Sequence, residues 1–150
     1  MKARIDLMRV NPGIVQALLG LERQVRQAGF DSTLLDLVRM RASQINGCAY
    51  CLDMHSKDAR ANGETEQRLY GLSAWREAPY FDDAERAALE LAESVTRLSD
   101  RGDAVPDEVW SDVAAHYNEE QLASLVLWIA TTNLFNRLNA PTRQVAGAAW

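Results

Sequence analysis

Apolar residues recur three and four positions apart along most of the chain, and no segment alternates with the period of two that marks a half-buried strand. Asn11-Pro12 reads as a helix cap followed by proline in the first turn. Ile14, Leu18, Leu21 and Val25 then hold helical spacing until Gly29. Asp31 or Ser32 can cap a second helix carrying Leu34, Leu35, Val38 and Ile45 and ending near Asn46-Gly47. A third follows from about Cys48 to Asn62, where Gly63 offers a left-handed close, and a shorter one lies around Thr65 to Leu72. Asp82 with Glu85 is a capping-box pair opening a helix with an apolar stripe of Ala88, Leu91, Val95 and Leu98, stopped by the polar run 99–103. Pro106 opens another through Val109, Trp110 and Val113. Asn118 with Gln121 caps a long helix from Glu119 to about Leu138, with Pro141 as its breaker.

This pattern predicts an all-α fold of about six to eight helices forming a single domain over residues 1–150. The long helix carries Leu122, Leu125, Val126, Leu127, Trp128, Ile129, Leu134 and Phe135 around its circumference, so it must lie centrally or between subunits. The end of the chain, 145–150, is also apolar. That predicts docking on a neighbouring subunit of an oligomer, with docking on its own subunit as the alternative.

With 150 residues and 47% hydrophobic content, the chain can bury a core without covalent staples. Its 16 basic and 21 acidic residues give a net charge of −5, and no basic run is long enough to track phosphates, which argues against nucleic acid as a partner. The most apolar stretch, Leu122 to Ala130, is interrupted by Ser124 and falls far short of the roughly 20 residues that cross a bilayer, so no membrane partner is expected. The first residues lead into Asp6 instead of an apolar leader, and the expected location is cytoplasmic. In a reducing compartment a close cysteine pair points to catalysis or metal binding before a structural disulfide.

The two cysteines of the chain, Cys48 and Cys51, stand in a Cys-x-x-Cys-x-x-x-His segment that ends at His55. On a helix this spacing sets two thiols and an imidazole on one stripe. An imidazole and a helix N-terminus each favour the thiolate, the reactive form, and a second thiol can trap a sulfenic acid as a disulfide. A structural zinc site ordinarily needs four ligands, and the one other histidine, His116, lies far along the chain, so no metal is expected. Arg41 can pair with Asp36 or Asp53 or raise the local positive potential. Asn133, Asn136 and Arg137 read as an internal polar network.

The segment 41–55, Arg-x-Ser-Gln-x-Asn-Gly-Cys-x-Tyr-Cys-x-x-x-His, resembles the core of the alkyl hydroperoxidase D family within the carboxymuconolactone decarboxylase superfamily, and the likeness continues over most of the chain, through Gly63-Glu64, Trp75-Arg76-Glu77, the helix from Asp82 to Ser99, and Asn133 with Asn136-Arg137. The resemblance implies an all-α subunit assembling as a homo-oligomer, a trimer or hexamer, with thiol peroxidase chemistry. It carries the family's active cysteines onto Cys48 and Cys51 and its histidine onto His55. The family's acidic residue, twelve positions before the first cysteine, falls on Asp36. Where some members have a relay histidine this chain has Tyr50, a poorer base at neutral pH.

In the mechanism this implies, Cys51 attacks a peroxide after His55 takes its proton, Cys48 resolves the product to a disulfide, and Asp36 steadies the charged imidazole directly or through Tyr50. The roles of the two cysteines can also be reversed. No bound cofactor is implied, only a peroxide substrate and an external dithiol reductant. The competing readings are a carboxymuconolactone decarboxylase-type enzyme and a redox-sensing thiol/disulfide module.

Overall fold

The computed structural model describes residues 2–27, 29–100 and 102–148. Among these the secondary structure is entirely helical. The elements are α1 (Leu7–Val10), α2 (Pro12–Arg26), α3 (Ser32–Asn46), α4 (Ala49–Ala61), α5 (Glu66–Gly71), α6 (Asp83–Thr96), α7 (Asp107–His116) and α8 (Glu119–Thr142), with 3₁₀ turns at Leu72–Ala74 and Leu98–Asp100. The all-α expectation and its range of six to eight helices both hold.

The caps follow from side-chain chemistry. Asp31 accepts from the Thr33 N–H at the start of α3, and Thr65 accepts from that of Arg68 at the start of α5. Both expected capping boxes form, Asp82 with Glu85 on α6 and Asn118 with Gln121 on α8. Asn11 does stand before Pro12, but its side chain makes no capping bond. The cap is spent one element earlier, where Asp6 accepts from Arg9 N at 2.9 Å and starts the short, unanticipated α1.

Pro141 does not break α8, which runs to Thr142. A proline interrupts a helix by removing one N–H and crowding the preceding turn, and one that falls in the last turn leaves almost no helix beyond it to interrupt. The helix end that follows is closed in the ordinary way: Thr142 Oγ1 donates to Leu138 O at 2.7 Å, Arg143 turns left-handed at φ 53°, and the Arg4 guanidinium and N–H donate to Pro141 O and Thr142 O.

Helix α8 is the central element, packed against α2, α3, α4, α6 and α7. On one side Leu122, Leu125, Trp128 and Ile129 meet Leu35, Val38, Ala88, Leu91 and Val113. The Trp128 indole N–H donates to Leu35 O at 2.8 Å, so even this fully buried ring has its polar atom paired. A second cluster gathers Leu37, Met40, Leu72, Trp75, Phe81 and Leu89 beneath α5. The polar side of α8 forms the expected network: Asn46 Nδ2 donates to Asn133 and Asn136, each at 2.8 Å, and Asn136 donates to Ser43 Oγ at 3.0 Å.

Arg41 pairs with neither Asp36 nor Asp53. Its Nε reaches Glu93 at 2.7 Å, and Glu93 also accepts from Trp75 Nε1 and Arg76 Nη1, each at 2.8 Å. This partner lies 52 positions away, beyond the reach of any local pattern. The described part of the chain end docks on its own subunit. Gln144 Nε2 donates to Ile5 O at 2.8 Å and Gly147 N to Asp53 Oδ2 at 2.9 Å; Ala149 and Trp150 lie outside the described residues.

Burial pushes the Glu93 carboxyl up, but its donors Trp75, Arg76 and Arg41 outweigh that and hold it below the ordinary 4.5. The folded state therefore keeps Glu93 ionised where the unfolded chain would bind a proton, and its contribution is present above pH 4.5 and lost on acidification below it. Glu93→Gln should cost about 1–2 kcal/mol at pH 7. It should also flatten the fall in stability below pH 4.5, as read by urea titrations at stepped pH.

Candidate redox site

The site begins at a helix junction. Gly47 takes the left-handed conformation at φ 64°, and its N–H and that of Cys48 close on Gln44 O and Ser43 O at 3.3 and 3.1 Å, ending α3. Cys48 is then extended, φ −85° and ψ 93°, and stands at the N-cap of α4. It is thus not on the helical stripe that its spacing suggests. Its sulfur instead occupies the position where a serine or aspartate oxygen commonly caps, accepting the Cys51 N–H at 3.3 Å. The cap still brings the pair together, with Cα atoms 5.3 Å apart and the sulfurs joined as a disulfide. Both residues are buried, Cys48 at 1% exposure and Cys51 at 0%.

One turn further along α4, His55 is 6% exposed, and its buried Nδ1 has no hydrogen-bond partner. Desolvation, then the positive charges of Arg39 and Arg26, push its pKa well below the ordinary 6.5. The imidazole is therefore neutral at pH 7, the form that can accept a proton.

Cys51, His55 and Tyr50 line a cavity of about 510 Å³ between α2, α4 and α8. Leu19, Met54, Trp128 and Phe135 make its apolar wall, Arg26 and Arg39 a cationic edge, and Gly147 and Ala148 of the chain end part of its rim. Asp53 fastens that rim: its Oδ2 accepts from Gly147 N at 2.9 Å and from Lys57 Nζ at 2.7 Å. Cys48 is not among the lining residues, so the two sulfurs are inequivalent toward anything that enters.

Tyr50 is half of what the sequence suggests. It stands at the cavity, but burial and then the Asp53 charge raise its phenol, leaving it a neutral hydroxyl and no base. Asp36 is fully buried and engaged elsewhere. It pairs with Arg39 Nη2 at 2.5 Å and accepts from Asn62 Nδ2 at 2.6 Å. No hydrogen bond joins it to His55, whose Nδ1 is unpartnered. The acid reaches the cavity only through Arg39, which also meets Asp58 at 3.0 Å and Glu22 at 3.7 Å. Arg39 neutralises Asp36 and itself disfavours a charged imidazole, so the expected steadying of His55 by an acid is not formed here.

Asn139 was not singled out by its sequence, yet its Nδ2 donates to Cys51 Sγ at 3.5 Å. The signal available was spacing, since Asn133, Asn136 and Asn139 recur every three residues along α8. His116 ends α7 away from the cavity, its ring beside that of Tyr117.

A sequence profile described as the Carboxymuconolactone decarboxylase family matches residues 12–94, a stretch that contains the whole cysteine segment. The chain belongs to this family. YdfG of Bacillus subtilis, an uncharacterized protein, is 41% identical over 139 residues, 93% of each chain. A crystal structure from Agrobacterium tumefaciens, of a protein of unknown function proposed as an antioxidant defence protein AhpD, is 33% identical. It covers 99% of this chain and 100% of its own with a TM-score of 0.93. The debrominase Bmp8, solved with 2,3,4-tribromopyrrole, shares the fold at 23% identity over 94% of this chain and 74% of its own, TM-score 0.79. The AhpD-like expectation for the fold is therefore met, and α8, which completes the cavity, lies beyond the matched stretch of the family profile.

Because the folded protein rejects a proton that an unfolded histidine binds below pH 6.5, His55 makes the fold lose stability as pH drops below that value. The limiting slope for one proton is about 1.4 kcal/mol per pH unit. His55→Gln should remove this component, so that denaturation midpoints at pH 7.5 and 5.5 lie closer together than in the unaltered protein.

Proposed function

We propose that the protein is a thiol-dependent peroxidase that reduces alkyl hydroperoxides or hydrogen peroxide. The observation that carries this is the placing of Cys51 on the cavity wall, one turn from a neutral His55 and within disulfide reach of Cys48. His55 takes the Cys51 thiol proton. The thiolate attacks the terminal oxygen of R–O–O–H, the O–O bond breaks, and the alkoxide leaves with the proton returned by the imidazolium. Cys51 is now a sulfenic acid. The Cys48 thiol attacks that sulfur, expelling water and forming the disulfide. An external dithiol then supplies two electrons and two protons to restore both thiols.

The apolar wall suits an organic peroxide, and no bound cofactor is required by these steps. We place the protein in the reducing cytoplasm. Among the described residues no helix is long and apolar enough to cross a membrane. The decarboxylase alternative has less support, since an anionic lactone acid would need a free cation. Arg39 is engaged by Asp36, Asp58 and Glu22, and Arg26 meets Glu22 at 3.6 Å.

Consumption of cumene hydroperoxide with a dithiol donor is the direct test. Cys51→Ser should abolish turnover, and Cys48→Ser should leave a trappable sulfenic acid on Cys51. No turnover with several peroxides and dithiols would sink the reading, and bromide release from 2,3,4-tribromopyrrole in its place would move it to the chemistry named for Bmp8.

Homo-oligomeric assembly belongs to the same proposal. Val10, Ile14 and Leu21 stand 51%, 62% and 44% exposed along α1 and α2, an apolar stripe that a second subunit would cover. Sedimentation should give a trimer or a multiple of it, and Ile14→Glu should shift the distribution toward monomer.

A further inference from the structure

Cys48 and Cys51 compete for the role of attacking thiolate, and their surroundings differ. Cys48 has a backbone N–H and the N-terminus of a 13-residue helix. Cys51 is fully buried, which disfavours a charged sulfur. A buried thiol that is to ionise needs a donor aimed at it.

Asn139 is such a donor. Its Nδ2 lies 3.5 Å from Cys51 Sγ, and the residue is 2% exposed and part of the cavity lining. Its main chain is clamped: Asn139 O accepts from Gln144 N at 3.0 Å and from Thr142 Oγ1 at 3.3 Å, which closes the last turn of α8 around this residue. The amide oxygen, by contrast, is buried with no hydrogen-bond partner. Leaving a buried carbonyl unpaired costs stability that an apolar side chain of the same branched outline would not. The asparagine is thus an expensive residue at this position, and the hydrogen bond its side-chain amide makes among the described residues is to the sulfur.

We infer that Asn139 is a catalytic residue of the thiol chemistry, the hydrogen-bond donor that stabilises Cys51 as the thiolate and so assigns it the attack on substrate. In the disulfide its N–H meets a weakly accepting sulfur; on reduction and loss of the thiol proton the same N–H becomes a charge-assisted bond. The proton goes to His55, so no charge is created or lost overall. The relevance to peroxide turnover rests on the proposed function, but the thiolate itself can be measured without it.

The experiment follows the ultraviolet absorbance of the thiolate across pH in the reduced protein, reading Cys51 in a Cys48→Ser background and Cys48 in a Cys51→Ser background. Asn139→Leu should raise the apparent pKa of Cys51 by about one unit, a roughly tenfold loss of thiolate at neutral pH, and leave that of Cys48 in place. Its melting temperature should equal or exceed that of the unaltered protein. Asn139→Asp, which keeps the shape but sets a negative charge beside the sulfur, should raise the Cys51 value further. An unmoved Cys51 profile in either folded variant overturns the assignment, as does an equal shift at both cysteines, or a loss of stability in Asn139→Leu without a shift. Peroxide turnover of the same variants separates the two proposals. If the protein never turns over peroxide while Cys51 still shifts, the peroxidase reading fails and Asn139 stands. If turnover persists and Cys51 does not shift, Asn139 falls alone.

Discussion

The left-handed turn at Gly47 is the constraint from which the site is built. A residue with a side chain is strained at φ 64°, and only because the chain turns there can one helix stop and the next begin with Cys48 as its cap. That single residue fixes the phase of α4. With Cys48 capping, Cys51 falls on the inward face, His55 follows one turn later, and Asp53 points to the rim where it holds Gly147. A helix begun one residue later would rotate all three by about 100° and turn the sulfur away from the cavity.

Helix α8 supplies what α4 lacks. Its Trp128 and Phe135 form the hydrocarbon wall, and its asparagines reach across to α3 and α4. One helix therefore serves both as the core of the fold and as the opposite bank of the cavity. A change that shifts it relative to α4 moves the Asn139 amide that meets Cys51. The electrostatics are likewise shared: Arg39 balances the buried Asp36 while its charge, with desolvation, keeps His55 neutral.

The helices were legible because their signals are local. The capping pairs Asp82/Glu85 and Asn118/Gln121, the glycines after α3 and α4, and the helical spacing of Leu and Val each act within a few residues. The cysteine segment was legible for the same reason. What the chain did not disclose depends on groups far apart in sequence. Arg41 had nearby acids to choose from and took Glu93, where an indole and a second guanidinium already converge. Asp36 looked free to serve His55 but is neutralised by Arg39 and hydrogen-bonded by Asn62. Asn139 meets a sulfur 88 positions away, and the carbonyls of Pro141 and Thr142 at the end of α8 are capped by Arg4, from the other end of the chain. Cys48 is the instructive intermediate case. Its spacing from Cys51 suggests a helical pair, and only the backbone angles reveal a sulfur acting as a cap.

The inequivalence of the two sulfurs has a kinetic meaning. Cys51 borders the cavity and Cys48 does not, so under the proposed chemistry an oxidant and an incoming thiol must visit the same atom through the same opening. The thiol would form a mixed disulfide on Cys51 and expel Cys48, whose departing charge the α4 N-terminus is placed to receive. Two substrates that share one berth cannot occupy it together. Turnover would then divide into separate half-reactions, with parallel lines in a double-reciprocal plot and inhibition by excess of either partner.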